Sequence, residues 1–311
     1  MDITSEIPRY AALPRIPGLD LAYSWDFFGR GDELGTLNYL TPELIRSAAA
    51  LVVDGTVISL NLPIDQPSPG LFGRERYVHE QFWVDRNTWD EKLDGYFPQS
   101  STQWDGFKHF RAREHGFFGG RTGDPATEIH DIGIDVWARR GIVGRAVLLD
   151  VERYLQGRGS SVPVDERFII SAETLKLVAA AQGVTIERGD ILVIRTGWPA
   201  KYSERPSGSG SLSMLPGLDA DDETAQVLWD WHISALVTDL PAVEAVPGDP
   251  AVGSLHRRLL ALLGLPLGEL FDLEEVAVRC QDTGRYVFFF TSAPMHLPGG
   301  AGSPGNALAM L

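Results

Sequence analysis

Residues 171–195 read Ser-Ala-Glu-Thr-Leu-Lys-Leu-Val-Ala-Ala-Ala-Gln-Gly-Val-Thr-Ile-Glu-Arg-Gly-Asp-Ile-Leu-Val-Ile-Arg. Ser171 is a hydroxyl N-cap, the run to Gln182 favours helix, and Gly183 is a helix stop. Asp190–Arg195 then gives a short apolar run rich in β-branched residues, the pattern of a buried strand. Arg145-Ala146-Val147-Leu148-Leu149-Asp150-Val151 upstream has the same character. Strand, helix, strand in this order predicts an α/β fold. Working outward, Thr41-Pro42-Glu43 opens a helix with Leu44, Ala48 and Leu51 at helical spacing, ending near Gly55, before a short strand from Val57 to Leu60. Asp222 to Trp231 reads as a helix, Ile233 to Val237 as a strand, Leu255 to Leu263 as a helix and Tyr286 to Thr291 as a closing strand. Residues 64 to 135 mix Gly, Asp, Arg and aromatics with little period and read as loop-rich. Lys201 to Leu218 reads as a mobile surface loop or lid.

The chain has 311 residues, with 27 basic against 42 acidic side chains and a formal charge of −15. Such an excess repels phosphate backbones and anionic lipid, so nucleic acid and membrane surface are poor partners. With 44% hydrophobic and 22% charged residues the composition is globular. No apolar run reaches the length of a membrane span, and residues 1–10 have no leader-like pattern. The single cysteine, Cys280, excludes an internal disulfide and a CxxC zinc site. These features predict a cytoplasmic enzyme with a small-molecule substrate. No linker splits the chain, so residues 1–311 are expected to form a single domain. Its first 40 residues wrap the surface, with 1–24 as an irregular N-terminal arm and a core from about 25 to 306.

Seven histidines are present, with no HExxH, no GxSxG elbow, no P-loop lysine beside Gly299–Ser303 and no GxGxxG after a strand. A nucleotide cofactor is therefore not expected. The densest polar cluster runs from Gln99 to His109. If Thr102–Asp105 is extended, Gln103 and Asp105 share one face, because strand side chains alternate. An amide, a carboxylate and an imidazole would then converge on a cation or a carbonyl, although a plain polar turn has the same composition. His232 reads as a helix C-terminal residue. His79, His115 and His130 read as loop residues, and His296 stands near the glycine-rich end. Arg195-Thr196-Gly197-Trp198 reads either as a ligand-binding strand end or as a packing and salt-bridge motif.

The Gln99–His109 segment resembles the HxGTHxDxPxH signature of the metal-dependent cyclase and kynurenine formamidase-like hydrolase family. Asp105 and His109 match its aspartate and last histidine, while Gln99 and Gln103 stand where its first two histidines fall. The resemblance continues through Asp32–Asn38, Gly141–Asp150, Gly189–Trp198, Leu255-His256-Arg257, Gly268-Glu269-Leu270 and Pro298–Pro304, in the same order. It implies the family's swivelling β/β/α single-domain fold and a homo-oligomer, dimer or tetramer. It also implies a metallohydrolase site, in which a divalent metal activates water against an amide, ester or lactone carbonyl.

On that pattern Asp105, Gln103, His256 and Glu269 are the expected metal ligands. Amide oxygens replace two imidazoles, which shifts preference from zinc toward manganese, magnesium or calcium. His109, Asp105 and Glu269 are the expected catalytic groups; Gln99, Gln103, Trp104 and Phe107 are the expected substrate-binding ones. The aromatics between Phe82 and Phe118 suit an aromatic or cyclic substrate. The same residues admit a metal-free pocket. There His109, Asp105 and Glu269 would act as acid and base, and glutamine N–H groups would face an oxyanion, as in a cyclase, dehydratase or isomerase of secondary metabolism. A third alternative is a catalytically silent ligand-binding member.

Overall fold

The computed structural model describes residues 7–206, 210 and 212–311. Its centre is a nine-stranded mixed sheet. In spatial order the strands are Val57–Ser59, Ala307–Met310, Val287–Ser292, Ile142–Asp150, Ile191–Arg195, Ala235–Thr238, Leu267–Glu269, Gln103–Asp105 and Gly302–Pro304. The four from Ile142 to Glu269 run parallel, and the flanking pairs run antiparallel. Parallel strands need covered faces, and Val147, Leu148, Leu149, Leu192, Val193, Leu236 and Val237 are all fully buried.

The predicted helices form, although the one opened by Thr41 ends at Ala49, short of the expected stop near Gly55. Thr41 Oγ1 accepts from Leu44 N ahead of Pro42–Ala49. Ser171 accepts from Thr174 N ahead of Ala172–Gln182, and Gly183 closes that helix at φ 65°, where a side chain is disfavoured. Asp221 caps Asp222–Asp230. The Leu255–Leu263 segment is helical but wider than expected, with a π-type turn over Arg257–Leu263.

The stretch read as loop differs most. Val78–Trp83 and Trp89–Asp94 pair as an antiparallel hairpin with every residue exposed. Its faces mix Trp83, Trp89 and Leu93 with His79, Glu80, Asp90, Glu91 and Lys92, so neither carries the apolar alternation by which a half-buried strand is read. The Lys201–Leu218 stretch holds the end of a helix, Trp198–Ser203, and the short strand Gly217–Leu218. Its expected lid lies in part at residues 207–209 and 211, outside the described residues. Among the described residues no helix is long and apolar enough to cross a membrane.

Candidate functional site

The sheet register builds the site. Gln103 lies opposite Glu269, and Asp105 opposite Leu267, in adjacent antiparallel strands. Alternation sends Gln103 and Asp105 to one face and Trp104 to the other. Paired residues share a face, so Gln103 Nε2 donates to Glu269 Oε2 at 2.6 Å. Val243 N donates to Glu269 Oε1 at 3.1 Å from the loop after Ala235–Thr238.

His256 enters from the turn before the π-type helix and meets three carboxylates. Its Nε2 lies 3.3 Å from Asp105 Oδ2 and 3.2 Å from Glu269 Oε1, and its Nδ1 lies 2.5 Å from Glu244 Oε2. Ser254 Oγ donates to Glu244 Oε1 at 2.7 Å and steadies that carboxylate. Asp105, His256 and Glu269 are buried. His109 is more open, its side chain about a quarter exposed, with Nε2 3.8 Å from Asp105 Oδ2. That distance is too long for a hydrogen bond, so Asp105 does not orient His109 directly.

Gln99 makes the link instead. Its Nε2 donates one hydrogen to Asp105 Oδ1 and points the other at His109 Nδ1, 3.0 Å away. The His109 proton therefore belongs on Nε2, facing Asp105 Oδ2. Gly302 makes room for this amide, because a Cβ there would lie 2.6 Å from Gln99 Cδ and 2.8 Å from the Trp104 carbonyl oxygen.

The ionisation states follow from burial and neighbours. Burial favours the neutral form of Asp105, but His109 and His256 hold its carboxyl below the ordinary value. Burial opposes protonation of His256, yet Glu244, Asp105 and Glu269 together lift it well above the ordinary histidine value. Burial and the nearby Asp105 charge push Glu269 up to about 7. His256 lowers the pKa of Glu244 against its own burial. Burial holds His109 below the ordinary value, hence neutral.

Of the sequence-predicted residues, Asp105, His109, His256, Glu269, Gln99 and Gln103 come together. Trp104 and Phe107 do not line the site, which corrects their expected substrate-binding role. Trp104 is fully buried, donates from Nε1 to Ser292 Oγ and packs on Phe271 and Phe290. Phe107 is fully buried between Phe118 and Trp137. Gln103 also departs from its expected place as a ligand. Its N–H is on Glu269 and its Oε1 lies 3.5 Å from Arg74 Nη1, so it steadies Glu269. Phe110 does reach the site, its ring centroid 5.6 Å from that of His256.

Arg195 pairs with Asp150 and Glu274, and Thr196 and Gly197 donate backbone N–H groups to Asp239, so that motif packs the structure. His79 pairs with Glu91 on the exposed hairpin, His115 lies near Glu114, and His296 is exposed. Two site residues escaped the sequence reading, Glu244 and Arg74. Both lie in irregular segments, where spacing carries no signal.

The donor set fits a divalent metal. Asp105, His109 and His256 each offer a ligand atom within 4.8 Å of the others. Glu269 joins them through Oε1, 3.2 Å from His256 Nε2, while His109, its proton on Nε2, is left for proton transfer. Asp105 Oδ2 is buried with no hydrogen-bond partner. With metal–ligand bonds of about 2.0–2.2 Å in a tetrahedral site, neighbouring ligand atoms stand about 3.3–3.6 Å apart. The separations of His256 Nε2 from Asp105 and Glu269, 3.3 and 3.2 Å, are close to that edge.

The fold has solved relatives. The structure of a novel cyclase is 29% identical with TM-score 0.81, over 93% of this chain and 99% of that one. Isatin hydrolase A from Labrenzia aggregata, solved with benzyl benzoate, is 17% identical with TM-score 0.60, over 86% of this chain and 98% of that one. An isatin hydrolase bound to the product analogue thioisatinate is 14% identical with TM-score 0.59, over 88% and 99%. The last two establish likeness of fold. No curated protein matches the chain. The cyclase family model matches residues 38–245, a span that includes Gln99, Gln103, Asp105, His109 and Glu244, and the chain belongs to that family.

Proposed function

We propose that this protein is a hydrolase that cleaves an amide, ester or lactone C–N or C–O bond of a small cyclic or aromatic substrate. The observation that carries this reading is the convergence of Asp105, His256 and Glu269 beside the partly open His109. Asp105, His256 and Glu269 would hold a divalent metal, which supplies a nucleophilic hydroxide near neutral pH and polarises the carbonyl.

The residues around them have distinct tasks. His256 presents Nε2 to the cluster while its Nδ1–H donates to Glu244, the arrangement that fixes ring orientation and raises basicity. Gln103 ties down Glu269 Oε2 and leaves Oε1 facing His256. Gln99 ties down Asp105 Oδ1 and leaves Oδ2 free. His109, neutral with its proton on Nε2, donates to the carbonyl oxygen as negative charge develops there. Phe110 offers an apolar face to a flat substrate.

A second reading rests on the two glutamines, which aim N–H groups at carboxylates where imidazoles would aim lone pairs at a metal. A protonated His256 among Asp105, Glu244 and Glu269 is then the fixed positive charge. Glu269, with its carboxyl near 7, exchanges the proton in a cyclisation, dehydration or isomerisation.

One experiment separates the two. Protein purified without chelators is assayed for bound metal and for turnover of aryl esters, aryl lactones and N-acyl anilines, before and after chelation. Near-stoichiometric metal, with hydrolysis lost on chelation and absent in Asp105→Asn, is the expected result. Metal-free protein with full activity selects the second reading, and folded protein that hydrolyses none of the three overturns the hydrolase. The expected cytoplasmic location and homo-oligomer remain part of this proposal. Light scattering tests the oligomer, with the exposed Trp83–Trp89 pair as the first contact to examine.

A further inference from the structure

Arg74 stands half-buried between the site and a cleft of about 510 Å³ lined by Asp65, Ser68, Glu75, Arg76, Tyr77 and Ser100. Its Nη1 donates to the Gln99 carbonyl oxygen and lies 3.5 Å from Gln103 Oε1. Its guanidinium carbon lies 5.8 Å from the Phe72 ring centroid. It is also close enough to His109 to disfavour protonation of that ring.

Like Arg140 and Arg285, whose bonds go to backbone carbonyls, Arg74 has no acidic partner. What sets it apart is its place beside Gln99 and Gln103 at the edge of an open cleft. Arg76 in the same cleft pairs with Asp65 at 3.1 Å. Arg195 pairs with Asp150 and Glu274, and Arg258 with Asp222. No carboxylate among the described residues lies within 4.0 Å of the Arg74 guanidinium. Its protein contacts are two neutral oxygens and a ring. A charge half withdrawn from water without a counter-ion is costly. Guanidinium is also the side chain best shaped to take a carboxylate through two parallel N–H bonds. Arg74 meets the Gln103 side-chain amide and the backbone carbonyl of Gln99, whose own side chain holds Asp105 and His109, so an anion on it lies close to the reacting groups.

We propose that Arg74 binds a carboxylate carried by the substrate, separate from the bond that is cleaved. The substrate class is then a small aromatic or cyclic carboxylic acid with an ester, lactone or amide close to its acid group. The cleaved bond rests on the hydrolase reading above, whereas the carboxylate site does not depend on turnover.

The test is equilibrium binding of benzoate and of its neutral counterpart benzamide. Wild type, Arg74→Gln, Arg74→Lys and Arg76→Gln are compared by calorimetry, with thermal melts to confirm folding. Benzoate should bind wild type more tightly than benzamide does. Its affinity should fall about tenfold in Arg74→Gln, the loss of one charge-assisted contact worth about 1.4 kcal/mol. Arg74→Lys, which keeps the charge and loses the fork, should fall between, and Arg76→Gln should match wild type. Equal benzoate affinity in wild type and Arg74→Gln overturns the assignment, as does equal weakening by Arg76→Gln. Should Arg74→Gln fail to fold, Arg74→Lys decides: wild-type benzoate affinity there overturns the fork geometry. A protein that binds benzoate through Arg74 but hydrolyses nothing would sink the hydrolase and leave the carboxylate site standing.

Discussion

The Nδ1 of His256 lies 2.5 Å from Oε2 of Glu244, a residue 12 positions earlier in an irregular loop. This contact decides how His256 works, because a ring that donates from Nδ1 has Nε2 left for the cluster. Glu244→Gln keeps the shape but offers only a neutral acceptor. It should reduce metal affinity or kcat/KM by about 10–100-fold, the usual effect of losing such a partner. Metal titration and steady-state kinetics check this, and unchanged values for both would remove Glu244 from the machinery.

His109 should be indispensable and Gln99 its positioning residue. His109→Ala is expected to lower kcat by about 10²–10⁴-fold with little change in KM. Gln99→Leu should lower kcat less and shift the pH dependence, since the His109 tautomer is then no longer set. If Gln99→Leu lowers activity with an unchanged pH profile, the amide is only packing.

Gly302→Ala tests the same amide from behind. A Cβ at this position would meet both the Gln99 side chain and the Trp104 backbone. Gln99 should be displaced and activity should fall, which a crystal structure of the variant and its kinetics would show together.

Stability of the metal-free protein should decline as pH rises. Glu269 has a folded pKa of about 7 against an ordinary 4.5. Its contribution is complete below 4.5 and is lost as pH climbs through about 7. His256, raised above 6.5, contributes fully below 6.5 and loses that contribution as pH passes its folded value. Asp239, pushed up to about 7 by burial, acts in the same direction as Glu269. Asp105 and Glu244, both held low, lose their contributions only on acidification. Melting temperature should therefore fall from about pH 5 to about pH 8, and less steeply in Glu269→Gln. An identical slope in that variant contradicts the assignment.

Phe107→Ala should cost about 3–5 kcal/mol in denaturant unfolding, the usual penalty for emptying a buried aromatic site. KM of the folded fraction should stay near wild type, because the ring packs against Phe118 and Trp137. A selective rise in KM would restore Phe107 as a substrate contact.

Features that depend on short-range pattern were legible from residue order. Capped helices such as Ala172–Gln182 and apolar strands such as Ile191–Arg195 follow from side-chain period and turn chemistry, which act over a few residues. Alternation placed Gln103 and Asp105 on one face for the same reason. The order of matching segments carried the family resemblance, and with it His256 and Glu269.

Other features exist only in the folded chain. Glu244 and Arg74 join the site because loops bring them there, and no local period marks a loop. Trp104 and Phe107, adjacent in sequence to catalytic candidates, were carried to the core by strand alternation and aromatic packing. The direction of the two glutamine amides was legible only in three dimensions. An amide presents a donor and an acceptor, and its neighbours choose which one faces the site.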